Sequence, residues 1–291
     1  MVPQGVAGTV VEGLLAMINN TDQMIEALVI NLPDSVDRFE FQKKQLTGLN
    51  IPFQHLTAVS TRDIDAVLYE SLANGWERKL RLTEVACFLS HKKAWEYVHS
   101  SGKPMLILED DALLACNAAS LLIKLLAQPC NVDFVNLETH NRKKVVGNPL
   151  DIGDDHFQLK RLYQDRTGAA AYILYPSGAQ KLLNKAQKKL PGLADAFISS
   201  TYELDAWQVC PAAAIQLDQC PTYNLSIQGP AKSTITPTDP SKPLPKNATD
   251  AITFKYRRWV SQLRMGLRQL SVIGRSRRIL INIDTDKFRQ P

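Results

Sequence analysis

No stretch of the 291 residues approaches the roughly 20 consecutive apolar positions that a membrane-crossing helix needs. The chain is therefore not expected to span a bilayer. Paired cysteines are missing as well: Cys87, Cys116, Cys130, Cys210 and Cys220 contain no CxxC and no histidine at zinc-ligand spacing. An odd number of thiols argues against a complete disulfide framework, and a reducing cytoplasm is the expected home. Met1 to Gln23 hold no Lys or Arg, so the positively charged start of a secretory signal is absent. Because Met24 would serve equally well as a beginning, residues 1–23 are expected to be a leader or a loosely ordered N-terminus.

Most of the chain also lacks an excess of positive charge. Residues 251–291 carry ten Lys/Arg against two Asp, a local net of +8, which leaves −3 on residues 1–250. A body with a negative balance opposes extensive nucleic-acid binding, and no nucleic-acid partner is expected. What is present is material for a core, since 45% of residues are hydrophobic.

Ala27 to Leu32 reads as a buried strand, followed by a turn at Pro33-Asp34-Ser35 and a helix through Arg38, Phe41 and Leu46. Thr83 is expected to cap a helix that carries Val85, Phe88, Leu89, Trp95 and Val98 and stops near Gly102. Strand-like runs follow at 105–108, 133–137 and 170–174, then a helix over about 177–188. This alternation predicts an α/β fold whose sheet is mostly parallel with helices on both faces. From Gly229 to Asp250 a Pro/Thr/Lys-rich segment reads as a linker or flap.

The strand Met105 to Leu108 ends in three adjacent carboxylates, Glu109, Asp110 and Asp111, before apolar residues resume. Like charges packed at a strand end repel and lose hydration, so a cation would compensate them; a solvated acidic loop is the plainer alternative. Hard oxygens suit Mg²⁺ or Mn²⁺, which commonly bridge carboxylates to substrate phosphates. Ligands of open α/β sheets sit at the carboxyl ends of strands, where this triplet would lie.

Four segments together resemble glycosyltransferase family 25. They are Val29-Ile30-Asn31-Leu32 with Ser35, Asp37 and Arg38; Glu84 to Trp95, similar to E-x-G-C-x-x-S-H; Leu108-Glu109-Asp110-Asp111; and Thr167 to Leu174 followed by Gly178-Ala179. Ala86, Tyr175 and Ala196 depart from the family pattern, the last removing one carboxylate of an Asp-Glu pair that some relatives carry beside Asp195. The resemblance covers residues 25–217 and implies a GT-A type fold over 24–228, a UDP-sugar donor, a divalent metal, inversion at the sugar carbon, and a galactose transfer to lipooligosaccharide. A metal-dependent phosphohydrolase or phosphotransferase and a non-enzymatic membrane-binding module are the competing classes. The first is weakened because no D-x-D-x-T pattern follows Asp111.

On that reading Asp111, the last carboxylate beyond the strand, leads as metal ligand with Asp110 or Glu109 beside it. Inversion calls for a base, with Asp195 as first candidate and Asp205 as second; a helix cap is the structural alternative for Asp195. Asn31 is expected to contact uracil or ribose, and Arg38 to bind phosphate or pair locally with Asp34 or Asp37. Ser90 and His91 are candidates for donor or acceptor contact. Gly168 permits close backbone approach to a ligand or a tight turn.

In the tail, Tyr256, Val260, Leu263, Leu267 and Leu270 recur at helical spacing beside Arg257, Arg264 and Arg268. The stretch 251–291 is expected to be a basic amphipathic extension that either meets the inner face of the cytoplasmic membrane or packs its apolar stripe on the domain. A cytoplasmic enzyme is expected, peripheral on that membrane if the first alternative holds.

Overall fold

A computed structural model describes residues 24–126, 132–165, 168–227, 229–230, 243–245 and 247–291. Residues 1–23, Cys130, Thr167 and most of the Pro-rich segment lie outside the described residues.

The opening strand β1 (Glu26–Asn31) leads into helix α1 (Val36–Gly48) and strand β2 (Phe53–Thr57). Helix α2 (Ala66–Leu72) and the long helix α3 (Leu82–Ser101) precede β3 (Met105–Glu109), whose acidic end turns into β4 (Ala112–Leu114). Helix α4 (Ala118–Leu126) and strands β5 (Phe134–Asn136), β6 (Lys143–Asp151), β7 (Gln158–Gln164) and β8 (Ala171–Leu174) follow. Then come α5 (Pro176–Lys188), α6 (Ala194–Ser199), β9 (Ala206–Cys210), β10 (Ala214–Gln216), α7 (Ala248–Ser271) and β11 (Arg277–Leu280).

Among the described residues the main sheet runs in the order β11-β6-β7-β9-β5-β8-β3-β1-β2, with β10 and β4 forming a separate pair. The alternating α/β order holds, and the sheet is mixed where a mostly parallel one was expected. β2, β1 and β3 are parallel, as are β5 and β9, but β8 runs antiparallel to both β3 and β5, and β6 pairs antiparallel with β7 and β11. Parallel neighbours need a crossover. Helices supply it for β1 to β2 and, through α2 and α3, for the route to β3, whereas β6 passes into β7 with no helix between them.

Strand alternation puts helices on both faces. Val29, Leu106, Leu108, Val135 and Ile173 pack with Leu46 of α1 and Leu121 and Leu122 of α4. Leu28, Met105, Ile107, Phe134 and Tyr172 pack on the other side with Phe88, Trp95 and Val98 of α3 and Leu182 of α5. Thr83 is not the cap of α3, because Arg81 precedes the first turn and its N–H donates to the Glu84 carboxylate at 2.8 Å. The stop at Gly102 is as expected: φ is +66° there, which glycine adopts without a Cβ penalty.

The C-terminal stretch is divided. α7 lies on the surface, while β11 extends the sheet by pairing with β6, Asn282 O accepts from Ala212 N, and Phe288 is buried. The end of the chain is thus built into the domain and not into a single helical extension.

Candidate active site

β1 and β3 are parallel with Ile30 opposite Glu109, so Asn31 and the acidic triplet emerge at the same end of the sheet. Strand alternation then separates the carboxylates. Glu109 turns to the α3 face, and Asp110 turns to the α1 face.

α1 presents Arg38, Gln42 and Gln45, spaced four and three residues apart on one helical face. Arg38 forks across the acidic turn: one guanidinium nitrogen meets Asp110, and the other donates to Asp111 Oδ2 at 3.1 Å. Neither Asp34 nor Asp37 is its partner, since Asp34 pairs with Arg62. Gln42 donates to Ala112 O at 2.7 Å, and Gln45 accepts from Leu114 N at 2.8 Å. Asn31 donates to Asp110 Oδ2 at 2.8 Å and to Ser35 O at 3.1 Å. Both protons of its amide are therefore engaged in fixing Asp110 and the following turn.

Asp111 is left half-satisfied, for its Oδ1 is buried with no partner among the described residues. Burial, then the charge of Glu109, pushes its pKa up to about 7 against the opposing pull of Arg38. Burial also raises Asp110, while Arg38 and Asn31 lower it. The orphaned Asp111 Oδ1 is a hard oxygen donor that suits a divalent cation, whereas both oxygens of Asp110 are engaged, one by Arg38 and one by Asn31. Asp111 fits such an ion, and Asp110 would join it by giving up one of those partners.

Glu109 belongs to a different network. Trp95 Nε1–H donates to Tyr172 Oη at 3.0 Å, Tyr172 lies 3.0 Å from His91 Nδ1, and His91 Nε2 lies 3.0 Å from Glu109 Oε1. An indole can only donate, so the direction that satisfies every buried atom runs Trp95 to Tyr172 to His91 to Glu109. His91 orients Glu109 and is itself buried. Cys87, His91 and Glu109 also bring one ligand atom each within 4.8 Å of one another, a sulfur–nitrogen–oxygen set closer to zinc chemistry than to Mg²⁺. Ser90 uses its hydroxyl on the backbone, accepting from Val59 N and donating to Ala86 O, both at 2.8 Å.

The acidic turn lines one cleft together with Asn31, Arg38, Ser90 and His91, and a second cleft is separate from it. The second is lined by Asn136, Tyr163, Asp165, Gly168, Asp195, Tyr202 and Arg268. Asp195 lies in the first turn of α6, where Leu193 precedes the helix, and its Oδ1 accepts from Ala196 N at 2.7 Å. Burial raises its pKa, and the charges of Glu109 and Asp165 add to the rise while the Ala196 N–H and His91 oppose it. Asp195 is thus within electrostatic reach of the Glu109–His91 pair.

Asp205 is not in that cleft. Its carboxylate meets Arg161 and accepts from Trp207 Nε1 at 2.6 Å, which makes it part of an ion pair behind β9. Gly168 has φ +118°, and a Cβ there would come within 2.6 Å of Asn136 Nδ2 and 2.8 Å of Glu138 Oε1. The close approach it permits is to these two side chains.

Beneath Gly168 lies a polar cluster that sequence reading missed. Lys144, buried, pairs with Asp165 at 2.7 Å and donates to Gln208 Oε1 at 2.7 Å; Asn136 donates to Asp165 at 3.1 Å. Glu138 is buried beside them with its pKa raised well above the usual carboxylate range by burial. The available signal was Asn136, a polar residue inside an apolar strand.

The chain is an α/β domain with carboxylates gathered at the carboxyl ends of its parallel strands, where open α/β sheets bind their ligands. The family model described as "Glycosyltransferase family 25 (LPS biosynthesis protein)" matches residues 24–198. The chain belongs to glycosyltransferase family 25. It is also similar to the lipooligosaccharide biosynthesis protein lic2B of Haemophilus influenzae, 33% identical over 96 residues, which is 32% of this chain and 36% of that protein. The similarity to that relative therefore spans about a third of its length.

Proposed function

We propose that the chain transfers a hexose, galactose, from a UDP-sugar to a lipooligosaccharide acceptor with inversion, on a GT-A type fold. Support comes from the family, from the name of the relative, and above all from one observation: Asp110 and Asp111, forked by Arg38 at the end of the parallel strands, leave a buried oxygen of Asp111 without a partner. Asp111, with Asp110 beside it, would hold Mn²⁺ or Mg²⁺, which when bound supplies Lewis-acid neutralisation of charge on the diphosphate. Arg38 lies on the same wall to pair with a phosphate, and Asn31 lines the donor side.

Asp195 acts as the base. Its carboxylate takes the proton of the acceptor hydroxyl as that oxygen attacks the anomeric carbon; the bond from this carbon to the diphosphate oxygen breaks, and UDP leaves with the electron pair. A raised pKa makes the carboxylate a better proton acceptor, and the stacked walls of Tyr163, Tyr202 and Arg268 form a surface for acceptor sugar rings.

The enzyme works on the cytoplasmic face of the inner membrane, where a lipid-borne acceptor is presented. UDP release from UDP-galactose and UDP-glucose, with a defined lipooligosaccharide acceptor and with Mn²⁺ or chelator present, tests the reading. Metal-dependent UDP release favouring UDP-galactose, with a product of inverted anomeric configuration by NMR, is the expected result. Release of inorganic phosphate in place of UDP, or UDP binding that is indifferent to Mn²⁺ in calorimetry, overturns it.

A further inference from the structure

α7 is docked with the opposite polarity to an ordinary surface helix. Its arginines face the domain: Arg257 meets Asn74 O, Arg268 donates to Tyr163 O at 3.2 Å, and Arg264 and Arg268 lie over the Tyr202 ring. Its apolar stripe faces outward. Tyr256, Trp259, Leu263, Leu267 and Leu270 are all exposed, Leu267 at 57% and Leu270 at 64%, and exposed Ile273 continues the run just past the helix end. These positions recur at three- and four-residue steps, so they form one continuous strip along the helix. An apolar strip of this length on the outside of a helix marks an interaction surface.

Charge beside the strip indicates what covers it. A cleft of about 720 Å³ runs along one edge, lined by Lys185, Lys188 and Lys189 of the α5 end and by Arg257 and Arg264 of α7, against one carboxylate, Glu77, which pairs with Arg258. None of these five cations pairs with a carboxylate among the described residues. Lys185 is held by three neutral oxygens, of Phe197, Ser200 and Thr201, at 2.7 to 2.9 Å, and burial lowers its pKa to about 7, so the charge of the cleft is carried by Lys188, Lys189, Arg257 and Arg264. Lys255 is exposed on the other edge, and after Asp250 the helix has no acidic residue. Tyr256 belongs to both the strip and the cleft, so the apolar and cationic surfaces are contiguous.

We propose that the outer face of α7 and the cation-lined cleft beside it form one docking surface for an anionic phospholipid bilayer, with acyl chains against the strip and lipid phosphates in the cleft. Apolar burial and attraction to anionic lipid add in such surface-lying helices. Arg268 of the same helix lines the cleft that contains Asp195, so docking sets a membrane-borne acceptor beside that cleft. This last step rests on the proposed function; the docking itself does not.

The 291-residue chain is sedimented with phosphatidylcholine vesicles and with phosphatidylcholine/phosphatidylglycerol vesicles. Point substitutions are used because removing the tail would also remove β11 and buried Phe288. The wild type sediments with the anionic vesicles and stays largely in solution with the neutral ones. The pair Leu263→Glu/Leu267→Glu lowers binding at least about tenfold, since two exposed leucines become charged. Lys188→Gln/Lys189→Gln weakens it several-fold and flattens its salt dependence. Both sites are exposed, so the thermal midpoint stays at the wild-type value.

Wild-type protein that ignores anionic vesicles, or both pairs sedimenting as the wild type does, overturns the proposal. So does a concentration-dependent dimer, seen by ultracentrifugation and lost in Leu263→Glu/Leu267→Glu, in protein that does not bind vesicles. Vesicle binding is read without any sugar transfer, so a failed transferase assay with intact binding would reject the proposed function and leave the docking surface standing.

Discussion

Replacing Asp111 with Asn should stabilise the metal-free protein while disabling metal binding. The carboxyl pKa of Asp111 is raised from 3.8 to about 7 in the folded chain, first by burial and then by Glu109. At about 1.4 kcal/mol per pKa unit, keeping this carboxylate ionised costs the fold on the order of 4 kcal/mol. The sign follows from proton counts. Between pH 3.8 and about 7 the folded state still holds the proton that the unfolded chain has released, so stability falls as pH rises through this window and levels off above it.

Asn carries no charge at any of these pH values and can keep an oxygen toward Arg38, placing its amide protons where Oδ1 now lies unpartnered near Glu109. Part of the penalty should be recovered, roughly 1–3 kcal/mol after the cost of a buried amide. In urea unfolding with chelator, Asp111→Asn is expected to exceed wild type by that amount at pH 8, and the margin should shrink by about 2–3 kcal/mol at pH 5, where the folded carboxyl keeps its proton. Saturating Mn²⁺ reverses the order. A ligand at about 100 times its Kd adds about 2.7 kcal/mol to the wild type, and little to a variant without the ligand oxygen. A variant less stable than wild type at pH 8 in chelator, or one that gains as much from Mn²⁺, would refute both the strain at Asp111 and its assignment to the metal.

Asp195→Asn should lower kcat by about 10²- to 10⁴-fold with UDP affinity unchanged in calorimetry. Because the base must be ionised, wild-type activity should rise with pH through a limb above the ordinary carboxylate range, and that limb should vanish in the variant. Arg38→Met leaves Asp110 and Asp111 without their cation; a loss of about 3 kcal/mol in urea unfolding is expected, partly restored by Mn²⁺. Asp205→Asn weakens a half-exposed contact with Arg161, so a stability loss below about 1 kcal/mol and near-normal turnover are expected, measured by thermal melting and UDP release.

The elements that sequence reading placed best are those whose side chains face a single environment. Val29 and Ile30, or Leu106 and Ile107, sit between two layers of helices, and the apolar run that this requires is visible without a structure. Sheet direction was not visible in the same way. β8 is as apolar as β3, and nothing in Ala171 to Leu174 records that it enters antiparallel. The acidic triplet was legible as a cluster because charge at the end of a buried strand is costly wherever it occurs. Its division was not, because Asp110 and Asp111 are answered by Arg38, more than 70 residues earlier, and Glu109 by His91 on another helix. Local pairing of Arg38 with Asp34 or Asp37 was the natural expectation, and it lost to two desolvated carboxylates that had greater need of a cation.

The tail shows why periodicity identifies an amphipathic helix but not the side that docks. The stripe of Tyr256, Leu263, Leu267 and Leu270 and the row of Arg257, Arg264 and Arg268 both follow the helical repeat, and burial of the apolar side is the usual outcome. Here the domain offers the helix Tyr163, Tyr202 and the carbonyls of Asn74 and Trp76, partners for guanidinium groups and not for leucine. Cation–π contacts and charge-assisted hydrogen bonds to backbone oxygens therefore hold the arginine face inward. The sequence of α7 contains both faces, but the choice between them resides in Tyr163 and Tyr202, about 60 to 105 positions away. If those rings supply the selection, replacing Tyr202 alone should loosen α7 from the domain, and with it the wall that Arg268 gives to the Asp195 cleft.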